Sequence, residues 1–164
     1  MAVPRVAAAV WTITPGLVLA LDEQLGPPVD SYVNGSQTWL IGDDDTLMLE
    51  FRLHPVAGFT QPRGLSHNDL WEGVVGQLSL AGDPHALRLG DEVRPLTGLW
   101  DGLECFAAYG DDVEPATLAA RATAELGRAP DRSGLVDHET IGDAWERANG
   151  KVSIIALLLE QLSA

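Results

Sequence analysis

Hydrophobic positions change their period several times along this chain, and each change marks a new element. Leu17, Leu21 and Leu25 recur every four residues and define one face of a helix over 15–25. Thr14 suits its N-cap, Pro15 its first position and Gly26 the residue past its end. Residues 3–13 fit two readings. Val6, Val10 and Ile13 have helical spacing, while the β-branched content fits a strand.

A β-meander is predicted over 30–54. Asp30–Val33 and Ser36–Ile41 flank Asn34–Gly35, the strongest short hairpin signal. Gly42 and the run Asp43, Asp44, Asp45 turn the chain again. Strict alternation then begins at Thr46 and lasts to His54. Leu47, Leu49, Phe51 and Leu53 share one face; Met48, Glu50, Arg52 and His54 share the other. Such a strand buries one face and leaves the other wet or covered by a partner.

The next helix, over 66–80, announces itself by chemistry. Ser66 and Asp69 form a capping box, and Leu65 with Leu70 forms the hydrophobic staple. Leu70, Trp71, Val74, Val75 and Leu78 continue as an apolar stripe. Strands are expected within 86–109: Ala86–Leu89, then Val93–Trp100, interrupted by Pro95 and Gly98 and so placed at an edge. Asp101–Gly102 reads as a second hairpin turn before a returning strand, Leu103–Tyr109.

Helices dominate the remainder. One spans 114–127, with Pro115 in its first turn and Gly127 at its end. Residues 128–134 read as a linker. Ile141, Ala144, Trp145 and Ala148 give an amphipathic face to a helix over 138–162, which Asn149–Gly150 breaks or kinks. From Val152 to Leu162 that helix is apolar nearly all round.

The length suits one domain, residues 1–164. The predicted class is α+β: a largely antiparallel sheet (the meander 30–54 plus strands within 86–109) with helices packed mainly on one face. This element order resembles that of type III secretion chaperones and related small acidic bacterial domains. The resemblance lies in the order of elements alone, and it implies a protein-binding role.

Charge narrows the partners. Against 24 Asp and Glu stand 10 Lys and Arg, a formal net of −14. The acids are spread over the whole chain, without an acidic tail or a basic block. A field of this sign repels nucleic-acid phosphates and anionic lipids and steers in a basic protein. Direct binding to nucleic acid or membrane is therefore not expected. Arg5 followed by Val6–Ala20 looks like a short signal-peptide core, but Thr12, Thr14, Pro15 and Gly16 interrupt it, so the segment is assigned to the fold. A single cysteine, Cys105, excludes an internal disulfide and suits a reducing cytoplasm.

No motif supplies chemistry outright. Asp43, Asp44 and Asp45 are consecutive, whereas calcium loops place their acids at alternate positions, so a solvated turn is expected and no metal is assigned. His54, His67, His85 and His138 form none of the zinc spacings. His67 lies two residues from Asp69, off any shared helix face, and Asp69 already has a capping role. No nucleophile elbow, dinucleotide fingerprint or P-loop occurs, and no cofactor is assigned. Cys105 shares parity with Leu103 and Ala107 and reads as an inert buried thiol.

The residues that can converge on a ligand are Glu50, Arg52 and His54, alternating on the wet face of their strand. Trp100, beside the predicted turn, is the candidate exposed anchor; Trp39, Trp71 and Trp145 are assigned to the core. Ile154, Ile155, Leu158 and Leu162 exceed what one neighbouring element hides and predict a homodimer interface. The expected function is a non-catalytic, acidic protein-binding domain of chaperone, immunity or adaptor type. Two alternatives stand beside it: a small hydrolase using His54, Glu50 or His67, and a DNA mimic with carboxylates arrayed like phosphates.

Overall fold

The computed structural model describes residues 5–31, 36–43, 48–59, 65–81, 86–89, 91–107 and 113–162. Strand β1 (Val6–Thr12) leads into helix α1 (Pro15–Leu25). Strands β2 (Asp30–Ser31), β3 (Gln37–Asp43) and β4 (Met48–Pro55) follow, then helix α2 (His67–Ala81). Next come β5 (Ala86–Leu89), β6 (Glu92–Pro95), a 3-10 turn at Leu96–Gly98 and β7 (Trp100–Ala107). Helix α3 (Pro115–Leu126), strand β8 (Arg132–Val136) and helices α4 (His138–Arg147) and α5 (Ile154–Leu162) complete the chain. The class is α+β, as the periodicities predict.

The main sheet has six strands in the order β2-β3-β4-β7-β1-β8, and every pairing is antiparallel. Strands β5 and β6 form a separate hairpin. Residues 6–12 resolve as a central strand, bonded to β7 on one side and β8 on the other. Their period-2 signal is weak because both faces are buried: Ala7, Ala9 and Trp11 on one, Ala8 and Val10 on the other. β8 corrects the linker expected at 128–134. It is an edge strand of mostly exposed residues and so lacks alternation.

The first face of the sheet carries the large core. Trp39, Phe51, Leu53 and Leu103 pack there under α1, α2 and α3. Trp71 stands edge-on to Trp39 at 5.1 Å and tilted to Trp100 at 5.9 Å. The indole N–H groups are provided for: Trp39 donates to Gly26 O, Trp71 to Asp22 Oδ1 and Trp11 to Arg128 O. The capping box is present in both directions, Ser66 N to Asp69 Oδ2 and Asp69 N to Ser66 Oγ, each 3.2 Å. Hydrogen bonding to its carboxyl from the Ser66 side chain and then the Ser66 backbone N–H holds Asp69 below its ordinary value.

The last two helices take the second face. α4 and α5 are separate because Asn149 and Gly150 both have positive φ, 54° and 71°, which ends the first helix. Ile141, Ile155 and Leu158 cover Ala8, Val10 and Val136. Two glycines permit this approach. A Cβ on Gly102 would meet Ile155 Cγ2 at 3.0 Å, and one on Gly134 would meet Leu162 Cδ2 at 3.0 Å. Asp101–Gly102 is thus no turn, as the dipeptide suggests, but the interior of β7. The predicted Asn34–Gly35 hairpin, Asp44 and Asp45 lie outside the described residues. Among those described, no helix is long and apolar enough to cross a membrane.

Candidate functional site

Register places the second-face side chains in rows. Thr38, Arg52, Glu104 and Val10 face one another across β3, β4, β7 and β1. Leu40, Glu50, Phe106 and Ala8 form the next row, and His54, Gly102 and Thr12 the one on the other side. The β4 members Glu50, Arg52 and His54 are polar, and the β1 members Ala8 and Val10 are small or apolar. The apolar end is the part that α5 covers, through Ile155 and Leu158. At the polar end Thr38, His54 and Glu104 are buried, while Leu40 is 46% exposed.

Glu50, Arg52 and His54 do share this surface, as their alternation requires. Arg52 Nη2 donates to Glu50 Oε1 at 2.7 Å, and the guanidinium carbon lies 5.6 Å from the Phe106 ring centroid. His54 Nε2 lies 2.7 Å from Glu104 Oε1. Glu104 is 2% exposed. Burial alone would raise its carboxyl, but His54, then His138 and Arg52, outweigh that and hold it below the ordinary value. Burial pushes the neighbouring Asp101 carboxyl up, with His54 opposing. Cys105 is buried on the first face; burial, then the charges of Glu104 and Glu50, push its thiol up, away from the thiolate form.

Unpartnered polar atoms collect here. Thr38 Oγ1, Arg52 Nε, Glu104 Oε2 and His138 Nε2 are buried with no hydrogen-bond partner among the described residues. His138 opens α4 and meets Phe106 edge-on at 5.2 Å. Each such atom costs about 1–3 kcal/mol of desolvation, so their concentration on one face calls for an explanation.

A cleft of about 550 Å³ opens beside them, between the end of β4 and the start of α5. Its polar floor is Ser36, Arg52 and His54; Val56, Val152 and Ile154 supply apolar wall. Trp145 stands at its rim, 39% exposed, which corrects its assignment to the core. Ser36 N-terminally adjoins β3 and is buried beside this floor.

Other candidates fall elsewhere. Trp100 is wholly buried between Trp71 and the strands, so it is no exposed anchor; the loop tip that would have displayed it does not exist. Ile155 and Leu158 are buried against the chain's own sheet, and Ile154 and Leu162 pack on the same cluster. The cover expected from a second copy is therefore supplied largely from within, because α5 faces a sheet rather than one helix. Among the described residues, no group of three or more His, Cys, Asp or Glu is arranged to hold a metal ion. His85 and the side chain of His67 lie outside the described residues.

Glu104 is the candidate-site residue that sequence reading missed. Its parity, opposite to Leu103, Cys105 and Ala107, puts it on the second face, but its meeting with His54 depends on the β4–β7 register. No family model matches the chain, and no match was found among curated proteins or solved structures.

Proposed function

We propose that this domain is a non-catalytic binding module that engages a protein partner through the β3–β4 side of the second face, with Glu50, Arg52 and His54 at the centre of contact. The observation that supports this most is the gathering of buried, unpartnered polar atoms beside a cleft with an exposed tryptophan at its rim. Binding sites join apolar walls to a few convergent polar groups, and Trp and Arg dominate binding hot spots. Leu40, 46% exposed on the same face, extends the apolar surface beyond the cleft. The net charge of −14 steers a partner with a basic surface toward the molecule. A cytoplasmic setting accords with the single buried thiol.

A photo-reactive residue at position 40, with a control at Leu80 on α2, tests the reading in the cells that make the protein. Adducts of one size from position 40 and none from position 80 are expected. Equal labelling from both positions, or none from either, would count against it.

The buried His54–Glu104 contact favours a second reading, a small hydrolase. A histidine held by a carboxylate beside a serine has the composition of an acyl-transfer site, and Ser36 and His54 line the same cleft. Ester turnover by the isolated domain that His54→Ala abolishes would select this reading over the first.

A further inference from the structure

The cleft has an unusual lining for this chain. In a molecule with 24 acidic residues, none of the described residues that line it is acidic. Among the described lining residues the ionisable ones are Arg52 and His54, both hydrogen-bond donors. Glu50 and Glu104, their partners, lie outside the lining. Arg52 spends one nitrogen on Glu50, and its side chain is 36% exposed. A guanidinium carries five N–H groups in a fork that matches a carboxylate, so the bond to Glu50 leaves donors to spare.

The start of a helix adjoins these two side chains. Helix α5 begins at the cleft: Ile154, its first residue, and Ser153 both line it. Ser153 accepts from Ala156 N through its hydroxyl and from Leu157 N through its carbonyl, which fixes the helix start there. The N-terminal end of α5, the positive end of its dipole, therefore lines the same cleft as Arg52 and His54. Asn149 adds a polar group, and Val56, Val152, Ile154 and the Trp145 rim supply the apolar part of the wall.

From this arrangement we infer that the cleft binds a single carboxylate carried on an apolar body, with Arg52, His54 and the start of α5 around the anion and Trp145 against the apolar part. This rests on the protein-binding reading and sharpens it: the carboxyl terminus of a partner chain that ends in an apolar residue has this chemistry, as does a free carboxylic acid. The net charge of −14 opposes every anion, and the repulsion grows with ligand charge, so it disfavours a single carboxylate least and polyphosphates and nucleic acid most. The cavity volume lies in the range of small-ligand sites.

Calorimetry with four probes tests the inference: a pentapeptide ending in leucine as free acid, the same peptide as C-terminal amide, 3-phenylpropionate and 3-phenylpropionamide. At least one acid is expected to bind, about tenfold or more above its amide, the size of one charge-assisted bond. Tighter binding of the peptide acid identifies a partner's terminus, and tighter binding of 3-phenylpropionate a free acid. Arg52→Gln should remove the preference for acid over amide. Trp145 is the exposed indole among the described tryptophans, so its quenching by acrylamide should fall when the acid binds. Equal affinity of acid and amide for the native chain, or no binding of any probe, would overturn the carboxylate site. Neither result depends on a variant folding. The photo-crosslinking pattern at position 40 judges the protein-binding reading separately, so the two failures are distinguishable.

Discussion

The two faces of one sheet are built from the same strands, residue by alternate residue, and they do different work. On the first face, Trp39, Phe51, Leu53 and Leu103 are buried under three helices, and the indole N–H groups of Trp11, Trp39 and Trp71 have acceptors. On the second, Arg52, His54 and Glu104 stand where an apolar core would be cheaper, and buried polar atoms there lack partners. A chain that satisfies one face so fully has no packing reason to leave the other unfinished. The difference points to architecture on the first face and recognition on the second.

The largest effect expected from breaking this contrast is on the first face. Phe51→Ala removes a wholly buried ring that packs 5.9 Å from Trp11 and should cost about 3–5 kcal/mol in urea unfolding. A loss below about 1 kcal/mol would mean this face is not the core.

Next comes Glu104→Gln, on the second face. It leaves His54 beside a neutral amide and should cost about 3 kcal/mol at neutral pH. Its pH signature is more telling than its size. The folded chain holds Glu104 below the ordinary glutamate value of 4.5, so the fold prefers the ionised form. That stability is fully present above 4.5 and is lost as the pH falls through the lower folded value. The variant should therefore lose stability less steeply than the native chain below pH 4.5 in acid titrations followed by circular dichroism. Parallel curves would deny the pair its electrostatic role.

Gly102→Ala should cost about 1–3 kcal/mol, since the new methyl meets Ile155 at 3.0 Å. It tests whether α5 sits close enough to define one wall of the cleft. Arg52→Gln should change stability least, by under about 1 kcal/mol, because its ion pair with Glu50 is partly exposed. A strong loss of binding with so little loss of stability is the behaviour of a recognition residue.

Much of this division was legible in the sequence. The alternation from Leu47 to His54 separates the two faces and names Glu50, Arg52 and His54. The capping residues Thr14 and Ser66 mark their helices because the relevant physics is local. The errors arise where the deciding contact is distant in sequence. Asp101–Gly102 looks like a turn, yet Gly102 exists to admit Ile155. Trp145 has a core-like spacing on α4 but falls at the edge of the covered region. β8 is an exposed edge, so burial imprints no pattern on it. Glu104 could be assigned to a face by parity, but its pairing with His54 is a matter of register.

The most direct test of the division is an amide chemical-shift map of the ¹⁵N-labelled domain titrated with 3-phenylpropionate. The account predicts shifts concentrated at Ser36, Arg52 to Gly58 and Trp145 to Ile154, with α1, α2 and α3 unmoved. Shifts centred on those three helices, or none at saturating probe, would contradict it.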